Sequence, residues 1–229
     1  LKIYKITAIN KKKKINNDEI ESLILEIRKK KINGINVTVP FKNTVIPFLD
    51  ELSLESKNTQ SVNTIYLEND KVIGHNTDID GFKKSIDNAK YSIVGKKVLI
   101  LGSGGVVPSI IFALKKMNVS KIFLSNRTKS KAEKLKDLFN DIEIINWGEV
   151  PNFDIVINAT SIGLNKSDKI ELDFSNVGKN KLFYDLIYNP IQTNFLQSGE
   201  KMGNKCENGK MMFIYQASLA FKVWHGVYP

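Results

Sequence analysis

A lysine placed just past an apolar, β-branched run, Lys42 in GINVTVPFKN, and an aspartate in the polar stretch GHNTDIDGF, Asp78, are suited to moving a proton. A carbonyl that accepts a hydride develops negative charge on its oxygen. A lysine held and tuned by a neighbouring group can then supply the proton. Each residue alone is ordinary, because exposed lysines and Asp-capped turns are common; the pair gains meaning beside a hydride donor. The turn Gly102-Ser103-Gly104-Gly105 is where such a donor would bind. It follows the apolar run VLIL and opens an amphipathic stretch, so backbone N–H groups and a helix dipole can hold a pyrophosphate there. A tight strand-to-helix connection without a ligand would use the same glycines. The third glycine of the usual fingerprint is also absent, with Val107 and Pro108 near its place.

The next strand sharpens the nucleotide reading. An NAD site usually carries Asp or Glu at that strand's end, about 20 residues past the glycines, to bond the ribose hydroxyls. Here the end reads Asn126-Arg127-Thr128, with Lys131 one turn on. A carboxylate would repel a 2′-phosphate, whereas guanidinium, hydroxyl, ammonium and a helix N-terminus would bind one. The pattern predicts NADP over NAD; the alternative is a solvated arginine beside an ordinary N-cap.

These residues need elements to hold them. Ile20, Leu23, Ile24 and Ile27 repeat at helical spacing and predict a helix from Asp18 to about Lys30, with Asp18 and Glu21 as its capping box. INVTV reads as a strand ending at Pro40, and Val45, Phe48, Leu49 and Leu52 then suggest a helix. SVNTIYLE and KVIGHNTDIDGF read as a hairpin whose second arm ends in a polar loop. From Lys96 the rhythm changes. VLILG precedes a helix marked by Val107, Ile110, Ile111, Leu114 and Met117, and KIFLSN precedes a helix with Ala132, Leu135 and Leu138, for which Thr128 is the N-cap. Strands at EIIN, FDIVINAT and KLFYDLIY continue the alternation of a doubly wound parallel sheet. Met212, Tyr215, Leu219, Ala220 and Val223 mark a C-terminal helix with one polar residue, Gln216, inside its apolar stripe.

Composition narrows the class. The 229 residues are 42% hydrophobic, enough to bury a core, and no apolar run reaches the roughly 20 residues of a membrane helix. The opening LKIYKITAIN lacks the apolar core and cleavage site of a signal peptide, so a cytoplasmic setting is expected. A single cysteine, Cys206, excludes an internal disulfide, and beside it His75 and His225 form no recognisable metal-ligand cluster. The net charge of +10 would suit an anionic partner. The lysines are scattered, however, and the dense run Lys11 to Lys14 has no interleaved aromatics, so a small anion is expected rather than nucleic acid. Monomer and homodimer are both compatible with the sequence.

Taken together and in order, GINVTVPFK, SVNTI, GHNTDIDGF, LGSGG, SNRT, INATSIG, YDLIYNPIQTNFL and GKMMFIYQASLAFKVWHG strongly resemble the shikimate dehydrogenase family. The resemblance covers nearly the whole chain. It implies an α/β protein with a Rossmann-type nucleotide domain and a smaller α/β substrate domain, with a cleft between them. Residues 1–77 and 209–229 would form the substrate domain, and residues 78–208 the NADP domain. The implied reaction is the NADPH-dependent reduction of 3-dehydroshikimate to shikimate on the route to aromatic amino acids.

By the same resemblance, Lys42 would be the acid/base group, with Asp78 bonding the same hydroxyl and orienting the lysine. Thr38, Asn63 and Gln216 would bind the substrate's hydroxyl face, and Tyr188 would lie near its carboxylate. Gly102, Ser103, Gly104, Gly105, Asn126, Arg127, Thr128 and Lys131 would hold the dinucleotide. Asn158, Thr160 and Ser161 would form a loop near it, and Gly209 and Met211 would approach the nicotinamide. Simpler readings exist for several of these: a core hydrogen bond for Gln216, a polar strand end for INATSIG, a turn glycine and a core methionine for Gly209 and Met211.

An NAD-using quinate/shikimate enzyme and a non-catalytic nucleotide-binding relative are the alternatives within this scaffold. The family's opening loop G-x-P-x-x-H-S-x-S-P, whose serines bind the substrate carboxylate, has no counterpart, and the chain stops at WHGVYP where the family usually adds a helix. Loss of a central strand would expose backbone and apolar surface, so the sequence is expected to be a piece of a longer enzyme.

Overall fold

The computed structural model describes residue 9 and residues 11–229; the opening LKIYKITA, on which the reading of the N-terminus partly rests, lies outside them. In chain order the elements are α1 (Ile20–Arg28), β1 (Gly34–Asn36), β2 (Glu51–Leu52), α2 (Leu54–Thr59), β3 (Thr64–Glu68), β4 (Lys71–His75), α3 (Asp78–Asn88), β5 (Lys97–Leu101), α4 (Val107–Lys116), β6 (Lys121–Ser125), α5 (Lys129–Leu138), β7 (Glu143–Ile145), β8 (Ile155–Asn158), β9 (Leu182–Asp185), α6 (Asn194–Lys201), β10 (Lys205–Asn208) and α7 (Lys210–His225). They fall into two compact units, Leu1–Thr77 with Ala217–Pro229, and Asp78–Gln216. The return to the first unit falls inside α7, whereas the sequence reading places it at Gly209.

In the first unit a four-stranded sheet runs β1-β3-β4-β2, antiparallel except for the parallel pair β2 and β4. The apolar stripe of α1 closes its core, where Ile20, Ile24 and Ile27 meet Val37, Val45, Val62, Ile65 and Val72. Each such side chain taken from water is worth about 1.5–3 kcal/mol. At the other end of the chain Trp224 packs against Gly34 and donates from Nε1 to the Ile65 carbonyl at 3.2 Å. A Cβ at Gly34 would lie 2.6 Å from that same carbonyl, so glycine is what lets the indole reach the strand pair.

Four local expectations need correction. The capping interaction at the first helix is two residues earlier than expected: the Asn16 N–H donates to the Glu19 carboxylate at 2.8 Å, and a 3-10 turn leads into α1. Residues 45–52 form no α-helix; Pro47, with no N–H to donate, lies in a 3-10 turn at Ile46–Phe48 that gives way to β2. The polar end of the second hairpin arm is brief. Only Asn76 and Thr77 separate β4 from α3, so Asp78 opens a helix rather than lying in a loop. The strand at GINVTV is also shorter than INVTV suggests, although the Val37 N–H still reaches the Asn63 carbonyl at 2.8 Å.

In the second unit six parallel strands run β10-β9-β8-β5-β6-β7. Alternate residues face opposite sides, as a strand period of two requires. Val98, Ile100, Ile122, Leu124, Ile155 and Ile157 face α3 and α4, whose Phe82, Ile110, Ile111 and Leu114 complete that core. Leu99, Leu101, Phe123, Val156 and Phe183 face Phe153, Phe174, Phe195 and Leu196 on the other side. The doubly wound arrangement expected from the alternation is present. The edge strand β10 and helix α6 were not anticipated, because KCEN shows no run of apolar residues. Lys11 to Lys14 are exposed and outside any element. No described helix is long and apolar enough to cross a membrane.

An ion pair ties α1 to the sheet of the first unit. Arg28 donates to both Asp50 oxygens, at 2.6 and 3.1 Å, and the Val72 N–H reaches Asp50 at 2.7 Å. The Arg28 guanidinium first, then the Val72 amide, holds this carboxyl below its ordinary range. A carboxyl whose folded value is depressed stabilises the fold above the unfolded value, and that contribution disappears as pH falls through the lower, folded value. Urea denaturation should therefore show Asp50→Asn less stable than the wild type at neutral pH. The difference should shrink well below the ordinary carboxyl value of about 3.9; a gap that does not change with pH would contradict this.

Candidate active site

Lys42 sits in the turn that links β1 to the rest of the first unit. The Val37 N–H donates to the Asn63 carbonyl and the Val62 N–H donates to the Lys42 carbonyl at 2.7 Å, so both ends of the turn are stitched to residues 62–63. Lys42 is only 8% exposed, which sets it apart from the solvated lysines elsewhere. Thr38 stands exposed in the same turn. Asn63 is buried, and its orientation is enforced: Oδ1 accepts from the Thr77 N–H at 2.8 Å and from Thr64 Oγ1 at 3.0 Å, while Nδ2 donates to Thr77 Oγ1 at 2.9 Å. The first unit thus brings Lys42 and Asn63 together by backbone pairing.

Asp78 is the residue after Thr77 and the first of α3 in the second unit, 5% exposed. A carboxylate in the first turn of a helix faces its positive end. Further along the same helix, a Cβ at Gly81 would stand 2.8 Å from Cβ and 3.0 Å from N of Gln216. The missing side chain lets α3 and α7 approach at Gln216. The Gln216 amide donates to the Phe213 carbonyl at 3.0 Å, and Phe213 stacks on Tyr188 with ring centroids 4.8 Å apart. Tyr188 therefore stands against α7 one turn before Gln216.

The nucleotide end is governed by topology. From β5 the chain moves outward through β6 to β7, then returns to place β8 on the other side of β5. Ligands of such sheets bind at this reversal, beyond the carboxyl ends of the strands. The Gly102 to Gly105 turn leaves β5 there, and residues 159–163 leave β8 beside it. Gly102 has φ +105° and a Cβ on it would meet the Ala159 carbonyl oxygen at 2.8 Å. Gly104, by contrast, has nothing nearer than 4.0 Å, which keeps the turn open to a ligand. The departure from the glycine fingerprint is accommodated: Pro108 lies in the first turn of α4, where no N–H is needed, and Val107 is fully buried against the sheet.

Asn126, Arg127, Thr128 and Lys131 cluster between β6 and the start of α5. The Asn126 amide donates to the Thr128 carbonyl at 2.8 Å and shapes the turn; Arg127, Thr128 and Lys131 are exposed. Thr128 occupies the N-cap position with an extended backbone, but its side chain makes no capping bond, contrary to expectation. Gly209 precedes α7 and donates to the Ile187 carbonyl at 3.2 Å, so close that a side chain would collide with the Leu186 carbonyl. Met211 follows in the first turn of α7, partly buried. Thr160 is held by Asn158, whose Oδ1 accepts from the Thr160 N–H at 3.0 Å and from its hydroxyl at 2.7 Å; Ser161 stands exposed beside it.

Two residues without a role in the sequence pattern meet here, Asp185 at the carboxyl end of β9 and Thr193 at the N-cap of α6. Both lie in YDLIYNPIQT, but nothing in a linear motif tells that an aspartate eight positions before a threonine will meet it through a loop. Thr193 Oγ1 donates to Asp185 at 2.6 Å.

A six-stranded parallel sheet with an open glycine turn at its reversal, a cationic second strand end and a further α/β unit defines a two-unit dinucleotide-binding dehydrogenase. Comparison with known proteins agrees and narrows the class. Residues 2–65 match the model of the shikimate dehydrogenase substrate binding domain, and residues 84–187 that of shikimate / quinate 5-dehydrogenase. The chain is 56% identical over 229 residues to a shikimate dehydrogenase (NADP(+)) of Pelagibacter ubique, covering 100% of this chain and 86% of the relative. It superposes on the crystal structure of shikimate dehydrogenase from Aquifex aeolicus with TM-score 0.86 and 36% identity, over 94% of this chain and 80% of that one. A Thermus thermophilus shikimate 5-dehydrogenase in complex with NADP(H) and shikimate gives TM-score 0.84 at 28% identity, over 93% and 80%. The chain belongs to the shikimate dehydrogenase family.

The geometry at Gly102 carries a direct expectation. Alanine there must adopt a left-handed φ and push back a carbonyl, costing about 1–3 kcal/mol. Urea denaturation of Gly102→Ala should show a loss of that order, whereas Gly104→Ala, which meets open space, should cost much less; equal losses would contradict the close approach.

Proposed function

We propose that this protein is an NADP-dependent shikimate dehydrogenase, interconverting 3-dehydroshikimate and shikimate in aromatic amino-acid biosynthesis, in the cytoplasm. The observation that carries the reading is the open glycine turn at the sheet reversal, followed one strand later by Arg127, Thr128 and Lys131 in place of an acidic residue. The family membership points the same way.

The residues fit the dinucleotide. Ser103, Gly104 and Gly105 and the N-terminus of α4 would take the pyrophosphate, while Gly102, whose N–H donates to the Ser125 carbonyl at 2.8 Å, would make the tight turn. Arg127, the uncapped Thr128 hydroxyl and Lys131 would neutralise a 2′-phosphate, with Asn126 holding their turn. Thr160 and Ser161 would line the loop beside it, and Gly209 and Met211 would approach the nicotinamide. When bound, the cofactor supplies the hydride for the ketone carbon.

The chain's own residues would do the rest. Thr38, Asn63 and Gln216 would bind the ring hydroxyls and Tyr188 the carboxylate end, fixing which carbon is presented. Asn63 suits this task because Thr77 and Thr64 leave its amide no freedom to flip. Lys42 would give a proton to the oxygen as negative charge develops on it, and Asp78 would bond the same oxygen and orient the lysine. A buried lysine on a pinned turn supports such a role, since general acids work by staying in place.

Replacing Lys42 by Ala should lower kcat by about 10²–10⁴-fold while NADPH binding is retained. Unchanged turnover in an absorbance assay of NADP reduction with shikimate would refute the role. Arg127→Glu should weaken NADPH far more than NADH; equal losses by titration would remove the 2′-phosphate assignment.

A further inference from the structure

Asp185 ends β9 with no surface exposed to solvent, and among the described residues it forms no ion pair. A buried carboxylate is costly unless every lone pair is used. Burial pushes this carboxyl upward, opposed by its hydrogen bonds. Three donors converge on it: Asn158 Nδ2 at 3.0 Å, the Ile187 N–H at 3.0 Å and Thr193 Oγ1 at 2.6 Å. They come from three places, the end of β8, the loop after β9 and the N-cap of α6, where Thr193 also accepts from the Leu196 N–H at 3.3 Å.

The Asn158 contact has a directional effect. Its amino group faces two pure acceptors in this arrangement, the Asp185 carboxylate and the Ile162 carbonyl at 3.0 Å. An amide so placed cannot flip, and its carbonyl must face the other way. There it takes the Thr160 N–H and hydroxyl, and Thr160 Oγ1 in turn accepts from the Ile162 N–H at 3.0 Å. The far end of the same loop rests on residues that Asp185 also holds: a Cβ at Gly163 would lie 3.2 Å from both Thr193 Cγ2 and Ile187 Cδ1. The near end meets the glycine turn, since the position of a Gly102 Cβ is 3.0 Å from Thr160 Cγ2.

We infer that Asp185 is a positioning residue: it locks the loops after β8 and β9 into the one arrangement in which residues 159–163 stand against the Gly102 turn to receive the dinucleotide. The inference rests on the nucleotide site proposed above. Asp185 does not touch the cofactor in this role; it acts through Asn158, Thr160, Ile187 and Thr193. A neutral isostere with an acceptor on the Asn158 side preserves most of the lock, and removal of the side chain releases it.

The test measures the NADPH dissociation constant by nicotinamide fluorescence, without turnover, on the wild type, Asp185→Ala and Asp185→Asn, at a temperature where circular dichroism shows each folded. Asp185→Ala should weaken NADPH about tenfold, the scale of one or two buried hydrogen bonds left unmade. Asp185→Asn should stay within about threefold of wild type, since the Asn158 and Ile187 donors keep their acceptor. In the steady state the KM for NADP should rise more than kcat falls. A folded Asp185→Ala with wild-type affinity overturns the inference, and so do equal losses in both variants, which would make charge rather than geometry the cause.

If Asp185→Ala does not fold, Thr193→Val and Thr193→Ser decide: weaker NADPH binding in the first and wild-type affinity in the second are expected, and wild-type affinity in both overturns it. A wild type that binds NADPH but does not oxidise shikimate sinks the assigned reaction and leaves this inference standing. Failure to bind NADPH at all removes both.

Discussion

The nucleotide end of this protein depends on a hydrogen atom where another residue would carry a methyl. At Gly102 the β5 strand must leave the sheet while the carbonyl of Ala159 comes up beside it, and any side chain would fill that space. This approach is possible only because β8 returns to the flank of β5 opposite β6. Sheet order and glycine are thus one constraint. The reversal creates the crevice, and the absent Cβ lets its two walls come close together. Pro108 and Val107 then do for the helix what the third glycine of the usual dinucleotide fingerprint does by smallness: one starts it without a wasted donor and the other packs it on the sheet.

The first unit reaches order by a different means. Its turn at residues 38–45 has little regular structure, yet Lys42 and Asn63 are fixed because backbone bonds at Val37 and Val62 pin the turn to the neighbouring segment. This end of the unit is built of main-chain stitching and of an asparagine whose partners leave its amide no choice of direction. Both units therefore solve the same problem, that a site must hold its geometry where regular elements stop.

Much of this was legible before the structure. The parallel sheet announced itself because strands buried on both faces read as continuous apolar runs, VLIL, KIFL, DIVI, each followed by helical spacing or polar turns. The glycine turn after β5 and the polar stretch Asn126 to Thr128 after β6 were legible as strand ends because their residue types are local in sequence. What escaped was of another kind. Pro47 in the first turn of a supposed helix was outweighed by apolar spacing, and β10 was missed because an edge strand needs little hydrophobicity. Asp185 was hidden because its meaning lies in three donors brought from separate loops. Thr128 shows the converse: the correct residue type at an N-cap position whose hydroxyl nonetheless caps nothing.

The division between the two units falls inside helix α7, and its last turns carry Trp224 to Gly34 and the Ile65 carbonyl. The second unit is one continuous segment, and all its strands leave the ribosome before residue 217. The first unit is discontinuous, and its indole plug is made after the whole of the second unit. During synthesis the second unit can therefore close while the first, begun earlier, still waits for Trp224.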